Sequence, residues 1–187
     1  MGDSGLRRGE ARKLILDAAR IEFGAHGLAG ARVERIAQRA GVNKQLLYYY
    51  FGSKRDLFRA AAAPTERDGE PSPHSARAGP EAIRQAMRDL FEELAARPEL
   101  VSLLVDRNRA ERPLARQWAD PKIEMMTALI SEGQGTGYFR DDIDPHLLAQ
   151  QAIVLCAGFH AFGHHAAAAS DSWLTAACDT LLRGMAW

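Results

Sequence analysis

Apolar residues recur along this chain three and four apart, at helical spacing, and nowhere alternate for long enough to make a strand. Over residues 10–25, Leu14, Ile15, Ala18, Ala19, Ile21 and Phe23 form a broad apolar stripe. Gly27 is placed to end that helix by accepting a positive φ. A short second helix over 33–40 turns Val33, Ile36, Ala37 and Ala40 inward. Its start lacks a good cap, because Ala31 and Arg32 stand where Ser, Thr or Asp would serve. Gly41 and Val42 make a tight turn into a third helix over 43–50. That helix opens polar, with Asn43, Lys44 and Gln45, and closes aromatic, with Tyr48, Tyr49 and Tyr50 ahead of Phe51. Ser53 caps the next helix at Lys54, and Leu57 and Phe58 pin it to the same small core.

Residues 63–80 break the pattern with Pro64, Pro71, Pro73 and Pro80, which predicts a mobile loop. Helical text resumes over 81–96, with Ile83, Ala86, Met87, Leu90, Phe91 and Leu94 on one side, and Pro98 breaks it. A short helix over 99–110 follows. A longer one then runs from Pro113 to about Gln134, which Pro121 either kinks or restarts. After a loop from Tyr138 to Asp144, Pro145 opens a strongly apolar helix over 145–164, and a last helix covers 171–184. The pattern is all-α, a small three-helix head followed by a larger helical body.

Charge sharpens that division. The net formal charge is zero, yet residues 1–63 carry 12 Lys and Arg against 6 Asp and Glu, while residues 64–187 carry 12 against 18. A basic head on an acidic body concentrates positive potential where phosphates would lie. Cys156 and Cys178, far apart in apolar helical text, fit buried thiols in a reducing compartment. The N-terminal residues show no apolar leader, and no run reaches the roughly 18 apolar residues of a membrane span. A cytoplasmic protein with no membrane partner is expected. A Gly-rich phosphate loop, a G-x-S-x-G elbow and an H-E-x-x-H pair are all missing, so an enzyme reading fares poorly and no cofactor is called for.

A helix that enters a DNA groove exposes short polar side chains in its first turn and buries a face in its last. Asn43, Lys44, Gln45, Tyr48 and Tyr49 form the exposed set expected here. Gln45 both donates and accepts, which suits adenine, and Lys44 suits guanine or a phosphate. Tyr48 and Tyr49 offer rings to thymine methyls or sugars and hydroxyls to phosphate. Lys54 and Arg32, each at a helix start, combine charge with free backbone N–H groups to hold phosphate.

The head closely resembles the N-terminal domain of TetR/AcrR-family transcriptional regulators. The matching residues are Phe23, Gly24 and Gly27, then Val33, Ile36, Ala37, Ala40, Gly41 and Val42. They continue through Leu46, Leu47, Tyr48, Tyr49, Tyr50 and Phe51 to Ser53, Lys54, Leu57 and Phe58. A weaker match runs through Ile130, Gly133, Gly137, Phe139, Arg140, Asp144 and Pro145. The resemblance implies a helix-turn-helix DNA-binding domain at 1–53 and an effector-binding and dimerisation domain at 54–187, about nine helices in all. It implies a homodimer on a palindromic double-stranded operator, most often a repressor released by a small-molecule effector whose identity the sequence does not carry. It also implies that Lys44, Gln45 and Tyr49 face base edges or the adjacent backbone, and that Tyr48 and Lys54 take phosphates. One departure stands out: Arg32 replaces the Thr or Ser common in the family, which predicts a slightly frayed start to the second helix.

In the body, the helix over 145–164 is apolar on nearly every side and should be buried all round, in a large core or between subunits. Phe91, Leu94, Leu104, Trp118, Met125, Met126, Leu155 and Phe159 are candidates to line an apolar cavity, with Arg107 and Asn108 to hold a polar group. Plain core packing is the simpler explanation of each apolar one, and a solvated helix end is the simpler explanation of Arg107 and Asn108. Cys156, His160 and His164 recur every four residues on one helix face, which leaves a metal- or thiol-responsive regulator as an alternative, although three successive turns rarely bend toward one ion. A helical interaction protein that binds no DNA is a second alternative, and it leaves the basic head unexplained.

Overall fold

The structure is a computed structural model that describes residues 8–63, 79–105, 111–162 and 167–186. Most of the expected 63–80 loop, Arg107, Asn108 and His164 lie outside the described residues. Among the described residues there are nine helices and no strand. They are α1 (Arg8–Gly30), α2 (Val33–Ala40), α3 (Lys44–Phe51), α4 (Lys54–Ala62), α5 (Pro80–Ala96), α6 (Pro98–Val105), α7 (Arg112–Gly135), α8 (Pro145–Phe162) and α9 (Ala167–Met185). The chain folds as two compact units, Met1–Ala63 with Arg97–Leu114, and Pro64–Ala96 with Ala115–Trp187.

In the first unit α1 packs against α2, α4 and α6. Its buried stripe is Ala11, Ile15, Ala18, Ala19, Glu22 and Phe23. Leu14 and Ile21, expected inside, point outward, because a 3.6-residue period that contains Ala11, Ile15 and Ala18 turns both of them away and brings Glu22 in. Phe23 meets Phe58 of α4 edge-on at 5.0 Å, and Ile36, Leu47, Leu57, Leu100 and Leu103 complete the core. Burying each of these side chains stabilises the unit by roughly 1.5–3 kcal/mol. Gly27 has φ 61°, as the sequence suggested, but helical turns resume beyond it to Gly30, so it kinks α1 instead of ending it. Gly24 lets α6 come close, since a Cβ there would fall 2.6 Å from Cγ of Pro98.

In the second unit α5, α8 and α9 pack on one another. Ile83, Ala86, Met87, Leu90, Phe91 and Leu94 of α5 are all buried. The helix α7 runs on through Pro121, and its Trp118, fully buried, donates from Nε1 to Glu93 Oε1 at 2.7 Å. After α7, the N–H groups of Tyr138 and Phe139 both donate to the Gly133 carbonyl, which seats the Phe139 ring on that glycine. One expectation fails within the single chain. The α8 helix is not covered all round: Leu147, Val154 and Phe162 are 54%, 68% and 80% exposed, because α5 and α9 cover its other face.

Candidate nucleic-acid interface

The turn between α2 and α3 is fixed by backbone chemistry. Gly41 takes φ 67°, and its N–H donates to the Gln38 carbonyl while that of Val42 donates to Ala37. This is the double bond of a left-handed helix end, where glycine avoids the strain of a Cβ. Asn43 then starts α3: its Oδ1 accepts the Leu46 N–H at 2.7 Å. Of the candidate DNA contacts, Asn43 is thus engaged as a helix cap. On α3, Leu47 and Phe51 are buried, while Lys44, Gln45, Tyr48 and Tyr49 are exposed. An eight-residue helix therefore presents a polar and aromatic face and keeps a greasy one.

Lys44 is not idle on that face. Its ammonium makes an ion pair with Glu34 of α2 and lies 5.9 Å from the centroid of the Tyr48 ring. The hydrogen bond and charge of Glu34 hold Lys44 above the ordinary lysine pKa, and the hydrogen bond and charge of Lys44 hold Glu34 below the ordinary glutamate value. Tyr49 meets Tyr50 edge-on at 5.4 Å. Lys54 sends its Nζ to the carbonyl oxygens of Ala31 at 3.0 Å and Ala29 at 3.3 Å, tying α4 to the α1–α2 link. Ser53 accepts the Asp56 N–H and so caps α4. Arg32 is exposed and extended, and provides no side-chain cap for α2.

Three glutamates that the sequence reading passed over brace this surface. Glu22 is 2% exposed, and its Oε1 accepts the Arg32 N–H at 2.9 Å and the Arg35 Nε at 2.7 Å. Those bonds anchor the start of α2, where the sequence suggested fraying. Burial pushes the Glu22 carboxyl up, but the Arg35 and Arg32 hydrogen bonds outweigh it and leave the group below its ordinary value. Glu111, 1% exposed, takes Arg55 Nε on one oxygen and Arg59 Nε on the other, at 3.2 Å for the second. Glu99, fully buried, accepts Arg97 Nε at 3.1 Å with Arg20 Nε 3.7 Å away. Arg20 and Arg97 in turn donate to the Ala61 and Ala63 carbonyls at the end of α4. The helix α4 is thus held at its start by Glu111 and at its end by the Glu99 cluster. A signal for Glu22 was present, since it falls on the buried period of α1.

The candidate pocket residues distribute unevenly. Leu104 belongs to the first unit, while the other described ones belong to the second. Phe91, Phe159, His160 and Trp173 make an aromatic cluster, with Phe159 and Trp173 at 4.5 Å and Phe91 and Trp173 stacked at 5.6 Å. Leu94, Trp118 and Met126 are buried, Met125 is half-buried, and Leu155 lies beside Val154 on the exposed side of α8. His160 Nε2 is 3.0 Å from the Phe91 carbonyl oxygen, and Cys156 faces the Met87 carbonyl. Burial, with Cys178 nearby, pushes the Cys156 thiol up to about 12. Among the described residues, no group of three or more His, Cys, Asp or Glu is arranged to hold a metal, and no helix is long and apolar enough to cross a membrane.

A capped, polar-faced second helix on a helix-turn-helix core, followed by a separate helical unit, defines a class: DNA-binding transcriptional regulators. Residues 15–61 match the family described as bacterial regulatory proteins, tetR family, and residues 80–178 match the tetracyclin repressor-like C-terminal domain, so the chain belongs to the TetR family. It is 36% identical over 139 residues to the HTH-type transcriptional repressor SCO4008 of Streptomyces coelicolor, covering 72% of this chain and 70% of that one. It is 28% identical over 194 residues to the HTH-type transcriptional repressor NicS of Pseudomonas putida, covering 93% and 92%. The fold matches that of a transcriptional regulator from Saccharomonospora viridis in complex with choline, with a TM-score of 0.75 at 20% identity over 96% of this chain and 100% of that one.

Proposed function

We propose that the protein is a homodimeric repressor that grips a palindromic operator with α3 of each protomer and releases it when a small-molecule effector enters the second unit. The observation that carries this reading is the α3 surface: Lys44, Gln45, Tyr48 and Tyr49 exposed on a helix whose other face is locked into the core. Arg32, Lys54 and the Asn43 helix start flank that surface and would meet the backbone. The exposed apolar strip of α8 supports a dimer, because contiguous apolar surface is costly to leave in water. Two such heads would reach successive major grooves, roughly 34 Å apart. Effector binding is supported by the choline held in the S. viridis protein and by the aromatic and Met side chains around Phe91, Trp118, Met126 and Phe159. Repression is supported by the two relatives named as repressors. Such a protein works in the cytoplasm, where its operator is. A thiol or metal switch at Cys156 has less support, since a thiol held up near 12 is a poor ligand and a poor nucleophile at neutral pH.

The test is selection of genomic fragments by purified protein at moderate salt, with the dimer checked by sedimentation. Enrichment of one palindrome supports the reading and supplies the operator for an effector screen. A folded dimer that retains no fragment at any salt would sink it.

A further inference from the structure

This inference rests on the reading of α3 as the groove-facing helix and adds a residue to it. Glu34 stands in the first turn of α2, exposed, in the basic part of the chain. Its carboxylate crosses the turn to hold the ammonium of Lys44 in the first turn of α3, and the same ammonium rests over the Tyr48 ring. One helix of the pair thus holds the cation of the other, on the face that would meet DNA.

A carboxylate there opposes simple attraction to phosphate. Non-specific binding is driven by counterions released as cations neutralise phosphates, and a lysine already matched to a carboxylate releases fewer. Such a lysine is drawn weakly to an arbitrary phosphate and leaves its partner only for a better-placed acceptor, such as O6 and N7 of guanine. Discrimination of this kind comes from penalising the wrong partner as much as from favouring the right one. We infer that Glu34 is a specificity-determining residue, which by pairing with Lys44 weakens binding to DNA of arbitrary sequence more than binding to the operator.

The probe is a short duplex of mixed sequence, titrated over a range of salt with wild type and Glu34→Gln. The variant keeps the size and the helix and removes the charge. It should bind this duplex several-fold tighter, and the slope of log K against log salt should steepen by about 0.9 for each added phosphate contact. The selected palindrome should gain less, so the ratio of specific to non-specific affinity falls. In a Lys44→Gln background the substitution should lose its effect, since the two act through one contact. Asp17→Asn is the control: it removes the same charge from a half-buried pair with Arg20 on α1, away from α3. An unchanged slope in Glu34→Gln, an equal effect from Asp17→Asn, or an effect that persists without Lys44 each overturns the inference while leaving the DNA-binding reading in place. Wild type that holds no duplex at low salt overturns both.

Discussion

The two units are held together by different chemistry. Among the described residues every buried charged side chain lies in the first unit: Glu22, Glu99 and Glu111, each met by arginines. The second unit buries Met87, Trp118, Phe91, Cys156 and Cys178 instead, and its charged pairs are partly exposed. Each of the three glutamates buries its carboxylate, although the arginines on Glu22 and Glu111 reach solvent. Such an ion pair adds little net stability over an apolar contact, but loss of its cations leaves an uncompensated buried charge. Apolar and thioether contacts adapt to new shapes at small cost. The unit that must present α3 at a fixed angle has the directional braces, and the unit that would accommodate a ligand has the soft ones.

The sharpest way to break this contrast is to strip Glu111. Arg55→Ala together with Arg59→Ala leaves a carboxylate, 1% exposed, without either of its cations. The expected loss in urea unfolding is about 3–5 kcal/mol. Adding Glu111→Gln to that variant should recover much of it, because the uncompensated charge is then gone. In the second unit Arg84→Ala breaks the pair with Asp179, whose side chains are 34% and 39% exposed, and should cost at most about 1 kcal/mol. Equal losses from the two experiments would mean that the units do not differ in the way argued.

Glu22 gives the next largest effect and a pH signature. Its folded pKa is depressed, so its contribution to stability is fully present above the unfolded value, about 4.3, and is lost as pH falls through the folded one. Glu22→Gln should therefore lower stability by about 1–3 kcal/mol at neutral pH. Its stability should also fall less steeply in acid than that of wild type. Denaturant melts across the acid range measure both. Parallel curves for the two proteins would show that Glu22 is not the ionised brace described.

These braces explain where sequence reading stops. The spans of α2 and α3, the left-handed Gly41 and the caps at Asn43 and Ser53 follow from local patterns, and the structure has them in place. Glu22 reads as a break in an apolar stripe, although it falls on the buried side of α1, and its partners are 10 and 13 residues away. The partners of Glu111 are 56 and 52 residues away. Periodicity reports which face of a helix turns inward, but not which charges meet across long separations. The same limit applies to α8, where hydropathy alone does not separate the core face from the exposed strip of Leu147, Val154 and Phe162.

Small effects should also come from the sulfur cluster of the second unit. Met87 is fully buried, and the Cys178 thiol meets its Sδ at 3.6 Å while Cys156 faces its carbonyl oxygen at 4.0 Å. Met87→Leu nearly preserves volume in a contact that carries no charge, so the expected cost is under about 1.5 kcal/mol. The thiols give an independent readout. Burial raises both, Cys156 to about 12, and only the thiolate attacks an electrophile such as maleimide. Native protein at neutral pH should take up almost no maleimide label at either position, and urea should release both together. Rapid labelling without denaturant would mean that this core opens readily, and softness of contact would then have to be read as looseness of the unit itself.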